Sequence, residues 1–184
     1  HERDEELAAM CDNYRPDFIR LMSAGLEGQT MLVQEMQRKD FFYQRNLYNE
    51  CNYWMNAINN IFYLFTCATG ESDEETDRLN SMEPNIEQRD FTGMDLAAWA
   101  YELFNPDSKY ADRGTHPSGN GYNRYIKHDQ LSADAVRYLK TQSILECLNI
   151  LNPMLIGRRE FHIASTERGE YYGNACMRHF LTSF

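Results

Sequence analysis

Residues 43–67 read YQRNLYNECNYWMNAINNIFYLFTC, and this stretch decides the fold class. Apolar side chains recur there at steps of three, four and seven: Tyr43, Leu47, Cys51, Trp54, Ile58, Ile61 and Phe65, with Phe41, Tyr48, Met55 and Phe62 beside them. Such spacing places these side chains on one side of an α-helix. Because the apolar face is wide, we expect a central helix that is largely buried and that ends at Gly70.

Helical spacing also extends to the N-terminal side of this stretch. A short helix over residues 4–13 precedes Arg15-Pro16, where a new helix begins because the residue before a proline avoids helical dihedrals. If that helix ran unbroken to Cys67, it would be about 75 Å long at 1.5 Å per residue. A compact domain therefore needs a break, predicted near residues 38–40 with Asp40 as N-cap. An unbroken helix would instead indicate an extended protein.

The C-terminal half has weaker signals. Residues 71–90 hold eight acidic and two basic side chains, which predicts a solvated connector or a short helix capped at Ser72. Thr92 and Ser132 are predicted to cap the next two helices. Residues 159–164 could be extended, although the sequence suggests no partner strand. A last helix is predicted from four-residue steps at Tyr172, Cys176 and Phe180.

These segments together predict an all-α fold, a compact bundle of about five to six helices with one long ordered loop at residues 105–130. The 184 residues suit a single helical domain over 1–184. A formal net charge of −10 argues against nucleic acid or anionic lipid as partner, since cationic surface dominates those affinities. The most apolar run, 58–67, is shorter than the ~20 residues of a membrane span, so we expect a soluble protein.

The five cysteines give little sign of a metal site. Their number is odd, and neither a Cys-x-x-Cys pair nor a cysteine–histidine cluster with zinc-ligand spacing occurs. We therefore expect no metal and no cofactor. Reduced core thiols would favour a cytoplasmic location, whereas a processed N-terminus at His1 would indicate a periplasmic or secreted protein.

The loop at 105–130 concentrates the reactive side chains. Loops longer than about 12–15 residues are uncommon in compact domains and are often functional. Arginines there could clamp a carboxylate or phosphate, a histidine could act as a general base, and the turn at 118–121 could cradle an anion. The candidate ligand-binding residues are Arg113, His116, Asn120, Arg124, His128 and Asp129. Alternatively, the loop only packs across the helices and pairs with the acidic segment 71–90.

Two functions fit this sequence, and the preferred one is a non-enzymatic helical interaction protein: a subunit, adaptor or inhibitor in a protein assembly. No catalytic motif has the required spacing, so catalytic residues stay unassigned. Aromatic side chains also lie off the main helical faces and could anchor a protein partner or a homo-oligomer: Tyr14, Phe42, Tyr53, Tyr63, Tyr101 and Tyr171.

The alternative is a small enzyme or ligand-binding protein that acts on an anionic substrate through the 105–130 loop. It requires the four cationic side chains of the loop to converge on one concave pocket. Those side chains are Arg113, His116, Arg124 and His128.

Overall fold

The computed structural model describes residues 4–42, 47–91, 93–149 and 161–173. These residues form six α-helices and one antiparallel hairpin: α1 (Asp4–Asn13), α2 (Arg15–Phe42), α3 (Leu47–Thr69), α4 (Glu71–Met82), α5 (Asp95–Phe104), α6 (Ala133–Glu146), β1 (Phe161–Thr166) and β2 (Gly169–Gly173). Single 3₁₀ turns lie at 86–88, 110–113, 128–130 and 147–149. The predicted all-α helical bundle is confirmed.

Helix α3 lies at the centre of the bundle, where it packs against α2, α5 and α6. Leu64 of α3, Trp99 of α5 and Leu139 of α6 are fully buried in the main core. Helix α5 is almost wholly interior, since Leu96 to Ala100 are all buried. Residues 105–132 connect α5 to α6 over the surface of the bundle.

The predicted break between the first two long helices comes later than expected. Helix α2 continues through Asp40 to Phe42, so Asp40 lies inside the helix and is not an N-cap. Because α2 packs along α3, the two form a helical pair and the unbroken 75 Å helix is wrong. Gly70 ends α3 as predicted, with a φ of 78°.

The burial predicted for α3 is wrong in its direction. Its buried positions are Tyr53, Ala57, Asn60, Leu64, Cys67 and Ala68, on the side that meets α2, α5 and α6. From the apolar face expected in the core, Cys51, Ile58 and Phe65 are exposed instead, and Trp54 is 36% exposed. The physical reason is that both sides of this helix are apolar, so its periodicity does not determine which side packs against the bundle.

Some of the remaining predicted elements are confirmed, and others differ in the structure. Ser132 caps α6 by accepting a hydrogen bond from the Ala135 N–H, as predicted. Residues 71–82 form a helix without buried side chains, but its N-cap is Gly70 and not the predicted Ser72. Tyr172 lies in β2 and not in a helix. Residues 161–164 belong to β1, whose partner strand is β2. Thr92, Cys176 and Phe180 lie outside the described residues.

A buried carboxylate fixes the 105–130 loop to the bundle. Glu102, near the end of α5, is 1% exposed and accepts hydrogen bonds from Arg15 at 2.5 Å and Arg113 at 2.6 Å. Arg15 also donates to the carbonyl groups of Asn105, Pro106 and Ser108. The start of the loop is therefore fastened to the first turn of α2.

Candidate functional site

Arg113, the first candidate residue of the loop, is a packing residue. Its side chain is buried, forms the ion pair with Glu102, and lies over the ring of Tyr110 at 4.7 Å from the ring centre. Tyr110 in turn meets Phe18 edge to face, with ring centres 5.7 Å apart. The Arg113 guanidinium is therefore enclosed by α2, α5 and the loop itself.

His116, Asn120 and Arg124 line one shallow surface depression, together with acidic side chains. Arg124 is bound to Asp4 of α1, with Nε and one terminal nitrogen 2.9 and 2.5 Å from Oδ1. That guanidinium and the Tyr122 N–H hold the pKa of Asp4 below its usual value. Because Asp4 occupies the anion position on Arg124, the depression offers little excess positive charge to an anionic ligand.

His116 is involved in a local turn. Its Nδ1 lies 2.7 Å from Ser118 Oγ and accepts a hydrogen bond from the Ser118 N–H at 3.1 Å. The imidazole also meets the ring of Phe91 edge to face. These contacts are those of a residue that stabilises the 118–121 turn.

His128 and Asp129 lie at the other end of the loop, next to the acidic helix α4. His128 Nε2 is 3.1 Å from the carbonyl oxygen of Ala68, and the backbone N–H of His128 donates to Asp73. Beside them, Lys127 forms an ion pair with Asp77 at 2.6 Å. Asp129 is exposed in a second depression that it shares with Asp77 and Lys127.

The structure therefore does not bring the four cationic side chains of the loop together. Arg113 is buried against Glu102, His128 packs on the end of α3, and only His116 and Arg124 share a depression. The pairing of Lys127 and His128 with α4 matches the alternative in which the loop packs against segment 71–90. Among the described residues, no group of three acidic, histidine or cysteine side chains is arranged to hold a metal ion.

The outward side of α3 is the more unusual surface. We define the outer face as six positions that are all exposed and all apolar: Tyr48, Cys51, Met55, Ile58, Phe62 and Phe65. Met55 is 69% exposed and Phe62 is 63% exposed. Single exposed apolar residues are ordinary on protein surfaces, but a continuous helical stripe of six is unusual there.

The spacing of the outer face has a specific geometry. Its positions alternate steps of three and four residues from Tyr48 to Phe65, which is the a/d heptad pattern of a helix that packs against another helix. Asn52, Asn59 and Thr66 border the stripe on one side. Glu50 is the one charged residue between 47 and 69. A surface helix with so little charge suits a side that is covered by another apolar surface.

The sequence contained a signal for this face that periodicity alone did not reveal. Apolar residues occupy two sides of 47–69, and asparagines at 49, 52, 56 and 59 occupy the third. A helix whose apolar surface extends beyond one side is normally covered on more than one side. The bundle covers only one of its sides, through Tyr53, Ala57 and Leu64. Of the aromatic residues predicted as partner anchors, Tyr14 and Tyr171 are exposed, whereas Tyr53 belongs to the core.

No family model, no curated protein and no solved structure matches this chain. Within the described part of the chain, no helix combines the length and the apolar character needed to cross a bilayer, and this includes α3. The outer face and the loop are consequently the features of this chain that bear on its function.

Proposed function

We propose that this chain is a non-enzymatic interaction protein that binds an apolar helix of a protein partner on the outer face of α3. The observation that carries this proposal is that all six positions of an a/d stripe on α3, the central helix of the bundle, are exposed. The fold supports such a role, because α3 is held rigidly by three neighbouring helices and presents the stripe without rearrangement.

The hydrophobic effect gives this surface a driving force for association. Full burial of a large apolar side chain contributes about 1.5–3 kcal/mol. Five of the six positions are large, namely Tyr48, Met55, Ile58, Phe62 and Phe65. Their combined burial is comparable to the roughly 4–15 kcal/mol cost of bringing two molecules together, so these side chains can offset that cost and the remaining contacts of a matching partner set the affinity.

The spacing supports a helix as the bound element. Side chains at a and d positions insert between four residues of a facing helix, whereas a β-strand would need a two-residue repeat. The uncharged border at Asn52 and Asn59 offers hydrogen bonds without selecting the sign of the partner's charge.

The loop gives less support to the alternative function on an anionic substrate. Of its four cations, Arg113 and Arg124 are already paired with the carboxylates of Glu102 and Asp4. His116 contacts the ring of Phe91, whereas His128 contacts the carbonyl group of Ala68, so the two histidines line different surfaces. We therefore favour the interaction protein.

Site-specific photo-cross-linking tests the proposal. A photoreactive phenylalanine analogue replaces Met55 in the 184-residue chain, which is expressed in its native cells. Cross-linked peptides are then identified by mass spectrometry. The expected result is a small set of adducts whose attachment points lie in helices with apolar a/d positions. The same analogue at Met82, which is 70% exposed at the end of α4, is the matched control.

Met55 and Met82 are almost equally exposed, since Met55 is 69% exposed. They differ because Met55 lies on the outer face and Met82 does not. Adducts from Met55 should disappear when Phe62→Glu is added, because that change places a carboxylate one heptad step along the stripe. Equal yields from Met55 and Met82, or adducts that persist with Phe62→Glu, would contradict the proposal.

A further inference from the structure

We infer that the partner of the outer face is a second copy of this chain, bound with its α3 antiparallel to the first. This inference rests on the proposed function and names the occupant of the same surface. It follows from the order of side-chain sizes along the stripe, from the charge on α3 and from the length of the exposed stripe.

The outer face of one copy is complementary to the outer face of a second copy that runs in the opposite direction. If two copies of α3 run antiparallel about a twofold axis midway between Asn56 and Ala57, each outer position meets another outer position at the same level. The resulting layers pair Tyr48 with Phe65, Cys51 with Phe62, and Met55 with Ile58, each occurring twice. An a position faces a d position in every layer, which is the arrangement of an antiparallel helix pair.

Side-chain volume favours this direction over the parallel one. In the antiparallel pair, the small Cys51 faces the large Phe62, so the layers differ less in total volume than they would in a parallel pair. In a parallel pair each residue would face itself, so Cys51 would leave a gap and Phe62 would be crowded against Phe62. Well-packed interfaces alternate large and small residues across facing positions, because gaps and crowding both lose contact energy.

Charge permits two copies to approach at this surface. Each chain carries a net charge of −10, so random contact between copies is repulsive. The acidic side chains are concentrated elsewhere, with Glu71, Asp73 and Glu74 in the first turn of α4. None of the six outer positions is charged, and the stripe is therefore where self-association meets least repulsion.

The length of the stripe sets the expected strength of the dimer. From Tyr48 to Phe65 it spans about 26 Å at 1.5 Å per residue, and its width is about that of one helix. Trp54, 36% exposed, adds apolar surface along one border. An interface of this size is near the lower end for stable complexes. We therefore expect a dimer whose population depends on chain concentration in the micromolar range.

Cysteine cross-linking tests the orientation. In a background with Cys147→Ser and Cys176→Ser, Cys51 is the exposed thiol among the described residues, since Cys11 and Cys67 are buried. In the antiparallel pair the two copies of Cys51 are separated by about 16 Å along the axis, from eleven residues at 1.5 Å each. A short bis-maleimide should therefore not join them. Adding Phe62→Cys puts a thiol level with Cys51 of the second copy and should give covalent dimers.

A third variant completes the orientation test. Phe62→Cys combined with Cys51→Ser leaves position 62 alone, and it should give no covalent dimer. Covalent dimers from the chain that exposes only Cys51, or from the chain with a thiol only at position 62 of the stripe, would indicate a parallel pair. Either result would overturn the antiparallel arrangement.

Light scattering over a hundredfold range of chain concentration tests the dimer itself. The wild-type mass should rise from the chain mass of 21.7 kDa towards twice that value. Met55→Glu should keep the chain monomeric, because it places two carboxylates near the twofold axis, whereas Met82→Glu should behave as wild type. An equal mixture of Met55→Glu and Met55→Lys chains should regain the dimer mass.

The remaining outcomes separate this inference from the proposed function. A wild-type chain that stays monomeric overturns the dimer. If Cys51 is then protected from alkylation, the chain's own residues cover the outer face. If Cys51 reacts, the outer face is exposed to water. The proposed function survives a monomer only if the Met55 photo-adducts carry helical peptides of a different protein. If no adducts form either, both ideas fail.

Discussion

At the scale of single residues, Glu102 has the greatest effect on the fold, because its buried carboxylate joins α5 to α2 and to the loop. Arg15 and Arg113 both donate to it, and the Cys11 thiol lies 3.7 Å away. We expect Glu102→Gln to lower the free energy of unfolding by about 3–5 kcal/mol, since two guanidinium groups lose their counter-charge in a buried site. Urea unfolding followed by circular dichroism measures this loss.

Glu75→Gln is the matched control for Glu102→Gln. Glu75 forms an ion pair with Arg78 at 2.6 Å, but both side chains are 57% exposed. Exposed pairs contribute little to stability, because water and salt screen them. If the two variants lose equal stability, the described burial of Glu102 is incorrect.

Asp4 makes the contact of α1 with the loop dependent on pH. Its pKa in the folded chain lies below the usual value of 3.8, because Arg124 and the Tyr122 N–H stabilise the carboxylate. A lowered folded pKa means that this contribution to stability is complete above the unfolded pKa and is lost as the pH falls through the folded pKa. We expect the NMR titration of the Asp4 carboxyl carbon to move upward in pH in Arg124→Gln. An unchanged titration would show that Arg124 does not cause the shift.

The contacts of Glu102 and of Asp4 were not predictable from the sequence. The partners of Glu102 are separated from it by 87 and 11 residues, and Asp4 is separated from Arg124 by 120. Local spacing carries no information about pairs at such distances. The sequence therefore identified Arg113 and Arg124 as reactive cations, but it could not indicate that carboxylates already bind them.

At the scale of elements, most helix positions follow from local chemistry. The separation of α1 from α2 falls at Tyr14, one residue before the predicted Arg15-Pro16 boundary. This separation, the end of α3 at Gly70 and the Ser132 cap of α6 depend on adjacent residues. The orientation of α3 depends instead on tertiary packing, because two of its sides are apolar. Periodicity finds an apolar stripe without indicating whether the bundle or a partner covers it.

Two native thiols report the orientation of α3. Cys51 belongs to the outer face, whereas Cys67 is buried and its pKa is raised to about 12 by burial. In the monomeric Met55→Glu chain at neutral pH, we expect a maleimide to label Cys51 within minutes and Cys67 only after unfolding, since the thiolate is the reactive form. Peptide mass spectrometry assigns each label. Rapid labelling of Cys67 in the folded chain would reverse the assignment of the two sides.

At the scale of the fold, the described helices cover one side of α3 and leave the other side exposed. The inner side of α3 packs against α2, α5 and α6, while the outer face leaves six apolar side chains exposed to water. The all-α class was predictable because it needs only the periodicity of each segment. The surface that we propose for binding was not, because it depends on which side of α3 the other helices occupy.

If a second copy covers the outer face, folding stability must depend on chain concentration. Dimerisation stabilises only the folded state, and the thermal midpoint of the wild type should rise by about 3–5 °C over a hundredfold increase in concentration. Met55→Glu should remove this dependence without lowering the midpoint measured for dilute wild type, since Met55 has few contacts to lose in the monomer. Met82→Glu should retain it. Differential scanning calorimetry at several concentrations separates the two variants, and a concentration-independent wild-type midpoint would mean that the outer face does not bind a second copy.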